Sequence, residues 1–164
     1  MIKFIAVASI AIATLFLSMP VAVHAQAVDP IADRDAIRKV MHDYFEAYSR
    51  GDMVAVVNLI SVPFMVQGPK GFSVFTKADE ALDWYTKLHD SVVKQGYAKS
   101  QWLDLGVRLL GQSYAIAGGP YVRYKIDESE LNKAGGTYLL NKVDGVWKVG
   151  VLLGYPIKDA FKPE

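Results

Sequence analysis

Chemistry in this chain would have to come from a short list of side chains. Tyr44 opens the stretch YFEAYSRGD, residues 44–52, where an aromatic-rich helix stops on a Gly-Asp pair. A tyrosine there can donate a hydrogen bond to a developing oxyanion, or it can pack its ring in the core with its hydroxyl at a pocket rim. His42 and His89 each precede an aspartate, Asp43 or Asp90. Neighbours along a helix point in different directions, so neither pair forms a dyad, and both histidines read as surface helix residues. Asp104 and Arg108 stand four apart in an alternating stretch and so share one strand face. With Arg123 on a neighbouring strand they would make a carboxylate–guanidinium network able to hold a water. Leu103, Leu105, Val107 and Leu109 claim the inner face, however, which turns Asp104 and Arg108 outward, toward a dimer interface or solvent.

Other chemistries lack their residues. The chain has no Cys, which excludes disulfides, thiolate metal sites, a cysteine nucleophile and lipid acylation. Neither histidine has metal-ligand spacing to another ligand, and no metal or cofactor is expected. GPKG, residues 68–71, lacks the full phosphate-loop pattern and reads as a turn. No G-x-S-x-G elbow occurs.

The elements that must position these candidates follow from periodicity. Residues 1–25 have the layout of a secretory signal peptide: Lys3, an apolar run from Phe4, then Pro20 and small residues up to Ala25. Cleavage after Ala25 is expected, giving a periplasmic or secreted protein. An uncleaved anchor is the alternative, because residues 4–23 nearly span a bilayer. Cleavage would remove Lys3 and no acid, so 18 Lys+Arg fall to 17 against 17 Asp+Glu. A chain near neutrality gives no electrostatic reason to expect nucleic acid or acidic lipid.

Residues 26–34 read as a short lead-in and residues 157–164 as a surface tail. Ile37, Val40, Met41, Tyr44, Phe45 and Tyr48 recur at helical spacing, with Asp33 or Asp35 as the expected N-cap and Gly51 as a left-handed stop. A second short helix covers residues 53–60. A strand, the GPKG turn and a second strand follow. The third helix carries Ala81, Trp84, Tyr85, Leu88 and Val92 as its apolar stripe and stops at Gly96. From residue 100 onward the pattern is strand: one over 100–111, one broken at Gly118–Pro120 by a bulge or bend, and a hairpin turning at Val143-Asp144-Gly145. Helices first and antiparallel strands after mean α+β.

YFEAYSRGDMVAVVNLI and GTYLLNKVDGVWKVGVLLG resemble the opening and close of the nuclear transport factor 2-like, or SnoaL-like, superfamily. The middle, GYAKSQWLDLGVRLLGQSYAIAGGPYVRY, resembles an uncharacterised secreted bacterial branch of it. The resemblance runs over about residues 35–156 and implies one domain: a cone-shaped, curved antiparallel sheet wrapped around N-terminal helices, with a pocket at the wide end. It also implies a homodimer paired through the outer sheet face.

Ketosteroid-isomerase chemistry in that superfamily uses a tyrosine, a protonated acid and an aspartate base. Aligned on this chain, the tyrosine falls on Tyr44, the base on Gly68 and the second oxyanion donor on Leu139. A tyrosine without a base cannot run that isomerisation. Epoxide-hydrolase chemistry would draw on Asp104, Arg108 and Arg123, and His89 would border the pocket mouth.

Three readings follow. The first is an exported protein binding a small apolar or aromatic molecule, with Tyr44, Tyr48, Trp84, Trp102, Tyr121 and Tyr138 lining the pocket. The second is an isomerase, dehydratase or hydrolase drawing on Tyr44, His89, Asp104 and Arg123. The third is a dimeric interaction module without ligand. Tyr44 divides the first two: a carboxylate or histidine bonded to its hydroxyl favours the enzyme, and only aliphatic and aromatic neighbours, the arrangement expected here, favour binding.

Overall fold

The computed structural model describes residues 29–68 and 71–161. The expected leader, the start of the lead-in, Pro69 and Lys70 of the turn, and the last three residues of the tail lie outside the described residues.

The first helix, α1, is Pro30–Ser49, and it begins inside the expected lead-in. Asp29, not Asp33 or Asp35, is its cap: the Asp29 carboxylate accepts from the backbone N–H groups of Ile31 and Ala32. Pro30 follows at the first helical position, where its missing N–H is not needed. Asp33 is instead turned inward. Its carboxylate accepts from Trp147 Nε1 at 2.9 Å and pairs with Lys142 Nζ at 2.6 Å, which ties the helix start to the last hairpin. Gly51 follows the helix with φ 74°, the left-handed conformation that a glycine adopts without a Cβ penalty.

Lys142, and then the Trp147 hydrogen bond, hold the Asp33 carboxyl below its ordinary value. A carboxyl depressed in the fold contributes stability above its unfolded pKa of about 3.9 and loses it as pH falls through the folded value. Asp33→Asn is therefore expected to cost about 1–2 kcal/mol at pH 7, with the gap to wild type narrowing below about pH 4. Urea denaturation at pH 7 and pH 3 measures it. An equal gap at both pH values would rule out the ionic part.

The second helix, α2, is Met53–Asn58, capped by Asp52. It ends before Ile60 because that residue is taken into the sheet opposite Val149. Strands β1 (Ile60–Gly68) and β2 (Gly71–Phe75) form the first hairpin. Helix α3 is Ala78–Val93, and the Glu80 carboxylate reaches back to the N–H groups of Thr76 and Lys77 at its start. Then come β3 (Tyr97–Trp102), β4 (Gly106–Leu109), β5 (Tyr114–Lys125), β6 (Glu130–Val143), β7 (Val146–Pro156) and a short 3-10 turn at Ile157–Asp159. The β6–β7 hairpin turns at Asp144-Gly145, both with positive φ, as a tight two-residue connection requires.

The strands run β2-β1-β7-β6-β5-β3, with β4 also on β5. Three expectations change here. The sheet is mixed rather than wholly antiparallel, because β1 lies parallel to β7. The hairpin with β6 fixes the direction of β7, and β1, which follows α2 after a single residue, is separated from β7 by most of the chain, so no hairpin constrains how the two pair. The single strand expected over residues 100–111 is two. One edge of β5 pairs with β4 at Ala115–Gly118 and with β3 from Tyr121 onward. The chain crosses between the two at residues 103–105, where the N–H of Leu103 donates to the Pro120 carbonyl at 2.9 Å. Leu103 is consequently half exposed rather than on the inner face, while Val107 is buried. Finally, Gly118–Pro120 does not break its strand, since β5 pairs with β6 straight through it. Among the described strands the register shifts sit at Ile60/Met65, Tyr97/Lys99, Arg123/Tyr124 and Leu139/Leu140, and such bulges bend a sheet. Its concave face packs on α1 and α3.

Candidate ligand pocket

A cavity of about 570 Å³ opens between the helices and the concave sheet face. Each wall follows from an element's period. α1 gives Tyr44, Phe45 and Tyr48, one helical turn of its buried stripe. α3 gives Trp84 and Leu88, four apart. Tyr121 and Arg123 alternate on β5, and Leu152 and Gly154 on β7, so each pair shares a strand face. Tyr138 comes from β6, Ser100 from β3, and Val66, Gln67, Gly68, Gly71 and Ser73 from the first hairpin.

The floor is a packed aromatic cluster. The Tyr44 hydroxyl donates to the Tyr85 hydroxyl at 2.9 Å, and both are buried. The Tyr44 ring meets Tyr138 edge-on at 5.6 Å. Burial pushes the phenols of Tyr44, Tyr85 and Tyr138 well above their usual range, so they stay protonated. Burial also raises Tyr48 and Tyr121, with the Arg123 charge opposing it in both. Arg123 lies over the Tyr121 ring, 5.4 Å from its centroid. It is the one charged side chain among the described residues that line the cavity. Two polar atoms in this region, Tyr48 Oη and Arg123 Nε, are buried without a hydrogen-bond partner among the described residues.

Five of the six aromatic residues expected at a pocket line this one: Tyr44, Tyr48, Trp84, Tyr121 and Tyr138. Trp102 does not. It stacks on the far side of Phe45, ring centroids 4.3 Å apart, and lines a separate depression with His42 and Lys99. A tryptophan on a strand does not announce which face it takes. Of the four acid–base candidates, the fold brings Tyr44 and Arg123 to one cavity and leaves the others outside. His89 packs edge-on against Tyr48 and Tyr97 beside Gly51. Asp104 lies in the β3–β4 crossing, so it does not share a strand with Arg108, which is exposed on β4. The partner of the Tyr44 hydroxyl is Tyr85, not a carboxylate or histidine. Gly68 lines the cavity without a side chain to act as base, and Leu139 alternates with the inward Tyr138 and Leu140 and is exposed. Sequence reasoning placed Arg123 among acid–base groups. Its alternation with Tyr121 was the available signal that it belongs with the pocket aromatics.

Residues 33–156 match the model of the family described as NTF2-like protein (DUF6841). The chain belongs to that family. Solved structures share the fold. An NTF2-like protein with a cystatin-like fold from Novosphingobium aromaticivorans is 14% identical, with 80% of this chain and 86% of that one covered and a TM-score of 0.66. An NTF-2 like protein of unknown function from Shewanella oneidensis is 19% identical, covering 74% and 98%, at 0.61. The association domain of C. elegans CaMKII is 14% identical, covering 76% and 96%, at 0.59. At these identities the likeness concerns the fold alone. No curated protein matches the chain. Among the described residues no helix is long and apolar enough to cross a membrane.

Proposed function

We propose that this NTF2-like protein is an exported, homodimeric binder of a small apolar or aromatic molecule, held in the cone cavity. The observation that carries the reading is the wall of that cavity, built from Tyr44, Tyr48, Trp84, Tyr121 and Tyr138 with aliphatic residues between them. A concave, mostly apolar site with a few convergent polar groups is the usual form of a ligand pocket. The positions that would carry isomerase chemistry hold Gly68 and Leu139, which supply neither base nor donor.

The dimer is supported by the outer sheet face. Val74, Met65, Val151, Leu139 and Ile116 are consecutive cross-strand partners on β2, β1, β7, β6 and β5. On β1, β6 and β5 they alternate with the buried residues Phe64, Val66, Tyr138, Leu140, Ala115 and Ala117, so they face away from the cavity. An apolar row across five strands suits a second copy of the same surface. Export rests on the leader pattern of residues 1–25.

Native mass spectrometry of the protein purified gently from the periplasm of its own host tests all three parts. The expected result is twice the mass of residues 26–164 plus an excess from bound ligand. A bare dimer would overturn ligand retention, a monomer would overturn the dimer, and the mass of the uncleaved chain would overturn processing after Ala25.

A further inference from the structure

The cavity wall holds a charge that the fold does not balance. A guanidinium stays protonated at any pH a folded protein meets. Arg123 makes no ion pair with a carboxylate among the described residues, and its Nε is buried without a hydrogen-bond partner among them. The Tyr48 hydroxyl, on a residue only 5% exposed, is in the same position. Buried donors left unpaired are rare in native structures, because each forfeits its hydration without replacement. Here two of them belong to residues that line one cavity, from α1 and from β5. The stack on Tyr121 holds the guanidinium against the wall.

We propose that Arg123 and Tyr48 form an anion subsite that takes the carboxylate of an apolar organic acid, its hydrocarbon part lying among Trp84, Leu88, Tyr138 and Leu152. The inference rests on the cavity being a ligand pocket and names the class of ligand. A carboxylate fits for three reasons. Its planar pair of oxygens matches the N–H fork of arginine. Its single charge balances a single cation, whereas a phosphate dianion would keep one charge uncompensated in an apolar enclosure. The Tyr48 phenol is held protonated by burial, so it donates to the second oxygen and does not compete as an anion. The aromatic and aliphatic remainder of the wall offers nothing to a second charged group, which favours a monoacid with one polar end.

Isothermal titration of the chain of residues 26–164 with two acids and their alcohols tests this. The probes are octanoate against 1-octanol and 2-naphthoate against 2-naphthalenemethanol. At least one acid is expected to bind about tenfold tighter than its alcohol, a difference of about 1.4 kcal/mol. Arg123→Met is expected to weaken that acid at least about tenfold more than it weakens the alcohol, with the thermal unfolding transition checked separately to show that the variant is folded. Tyr48→Phe should weaken the acid about three- to tenfold more than it weakens the alcohol. If Arg123→Met does not fold, Tyr48→Phe and the charge-preserving Arg123→Lys carry the test. Equal binding of acids and alcohols to the wild-type chain would overturn the anion subsite and leave the apolar pocket standing. Failure of all four probes to bind would overturn the pocket reading itself, and the subsite with it.

Discussion

Tyr85→Ala is expected to destabilise the protein by about 4 kcal/mol, the middle of the range for truncating a buried aromatic side chain. Tyr85 has no exposed surface and sits where α3 meets everything else in the core. Its ring meets Trp84 at 4.8 Å, Phe64 at 5.7 Å, Tyr44 at 6.1 Å and Tyr48 at 6.4 Å. Truncation removes the transfer energy of the ring and leaves a void that four large rings cannot close without leaving their rotamers. It also strips the Tyr44 hydroxyl of its only hydrogen-bond partner among the described residues. Tyr85→Phe isolates that last contribution and is expected to cost about 1–2 kcal/mol. For the same reason Tyr44→Phe, which would be nearly free if the hydroxyl met only apolar neighbours, should cost a comparable amount. Against a total stability of about 5–15 kcal/mol, the alanine variant loses a large share and the phenylalanine variant a small one. Urea midpoints at pH 7 measure both. An alanine variant within 1 kcal/mol of wild type would mean that this cluster is not the keystone of the helix–sheet packing. Because Tyr85 supports Tyr44, which lines the cavity, through a hydrogen bond and a ring contact, ligand binding should fail along with stability in the alanine variant and survive in the phenylalanine variant.

How much of this was legible beforehand depended on how local the cause is. The buried stripe of α1, the left-handed Gly51, the stop at Gly96 and the Asp144-Gly145 turn are set by residues within a few positions of each other, and periodicity and turn chemistry found them. The start of α1 is just as local, yet it was placed too late. Asp33 looked like a cap because it is acidic and early, whereas its partners are Lys142 and Trp147, more than a hundred residues away. The strand region failed where partners decide the structure. The alternation from Leu103 to Leu109 continues across residues 103–105, but β5 offers its edge there to two different strands in turn, and no pattern within one strand records that. The parallel β1–β7 pair is equally invisible. In the site, residue type predicted aromatic walls, and the sheet put Trp102 behind Phe45 and Asp104 in a crossing loop. The Tyr44–Tyr85 hydrogen bond and the placing of Tyr48 and Arg123 on one cavity exist only once α1, α3 and β5 have converged.

That convergence rests on one crowded point of backbone, and Gly119→Ala is expected to cost about 3–5 kcal/mol there. A Cβ on Gly119 would stand 2.1 Å from the carbonyl oxygen of Asp104, and φ at this residue is 154°, where side chains are strained in any case. The obstacle is the backbone of Asp104 and Leu105, so no rotamer change can relieve it. On the adjacent residue, a Cβ on Gly118 would stand 2.3 Å from the Gly136 carbonyl oxygen on β6, which makes Gly118→Ala a separate test, of the β5–β6 contact rather than of the crossing. By contrast a Cβ on Gly154 meets nothing within 4 Å, and Gly154→Ala should change stability by less than about 0.5 kcal/mol. The damage at Gly119 should also have a location. The Asp104 carbonyl can retreat only if the crossing between β3 and β4 lifts away from β5. The first bond to break is then Leu103 N–H to the Pro120 carbonyl, followed by the pairing of Trp102 with Tyr121. Amide exchange should therefore show Leu103 losing protection while the β6–β7 amides keep theirs. Uniform loss would mean global destabilisation without a local opening, and a stable variant would mean that the backbone can yield where Asp104 and Gly119 meet. Tyr121 and Arg123 hang from the strand that this crossing braces, so local opening at Gly119 should loosen ligand binding even in protein that remains folded.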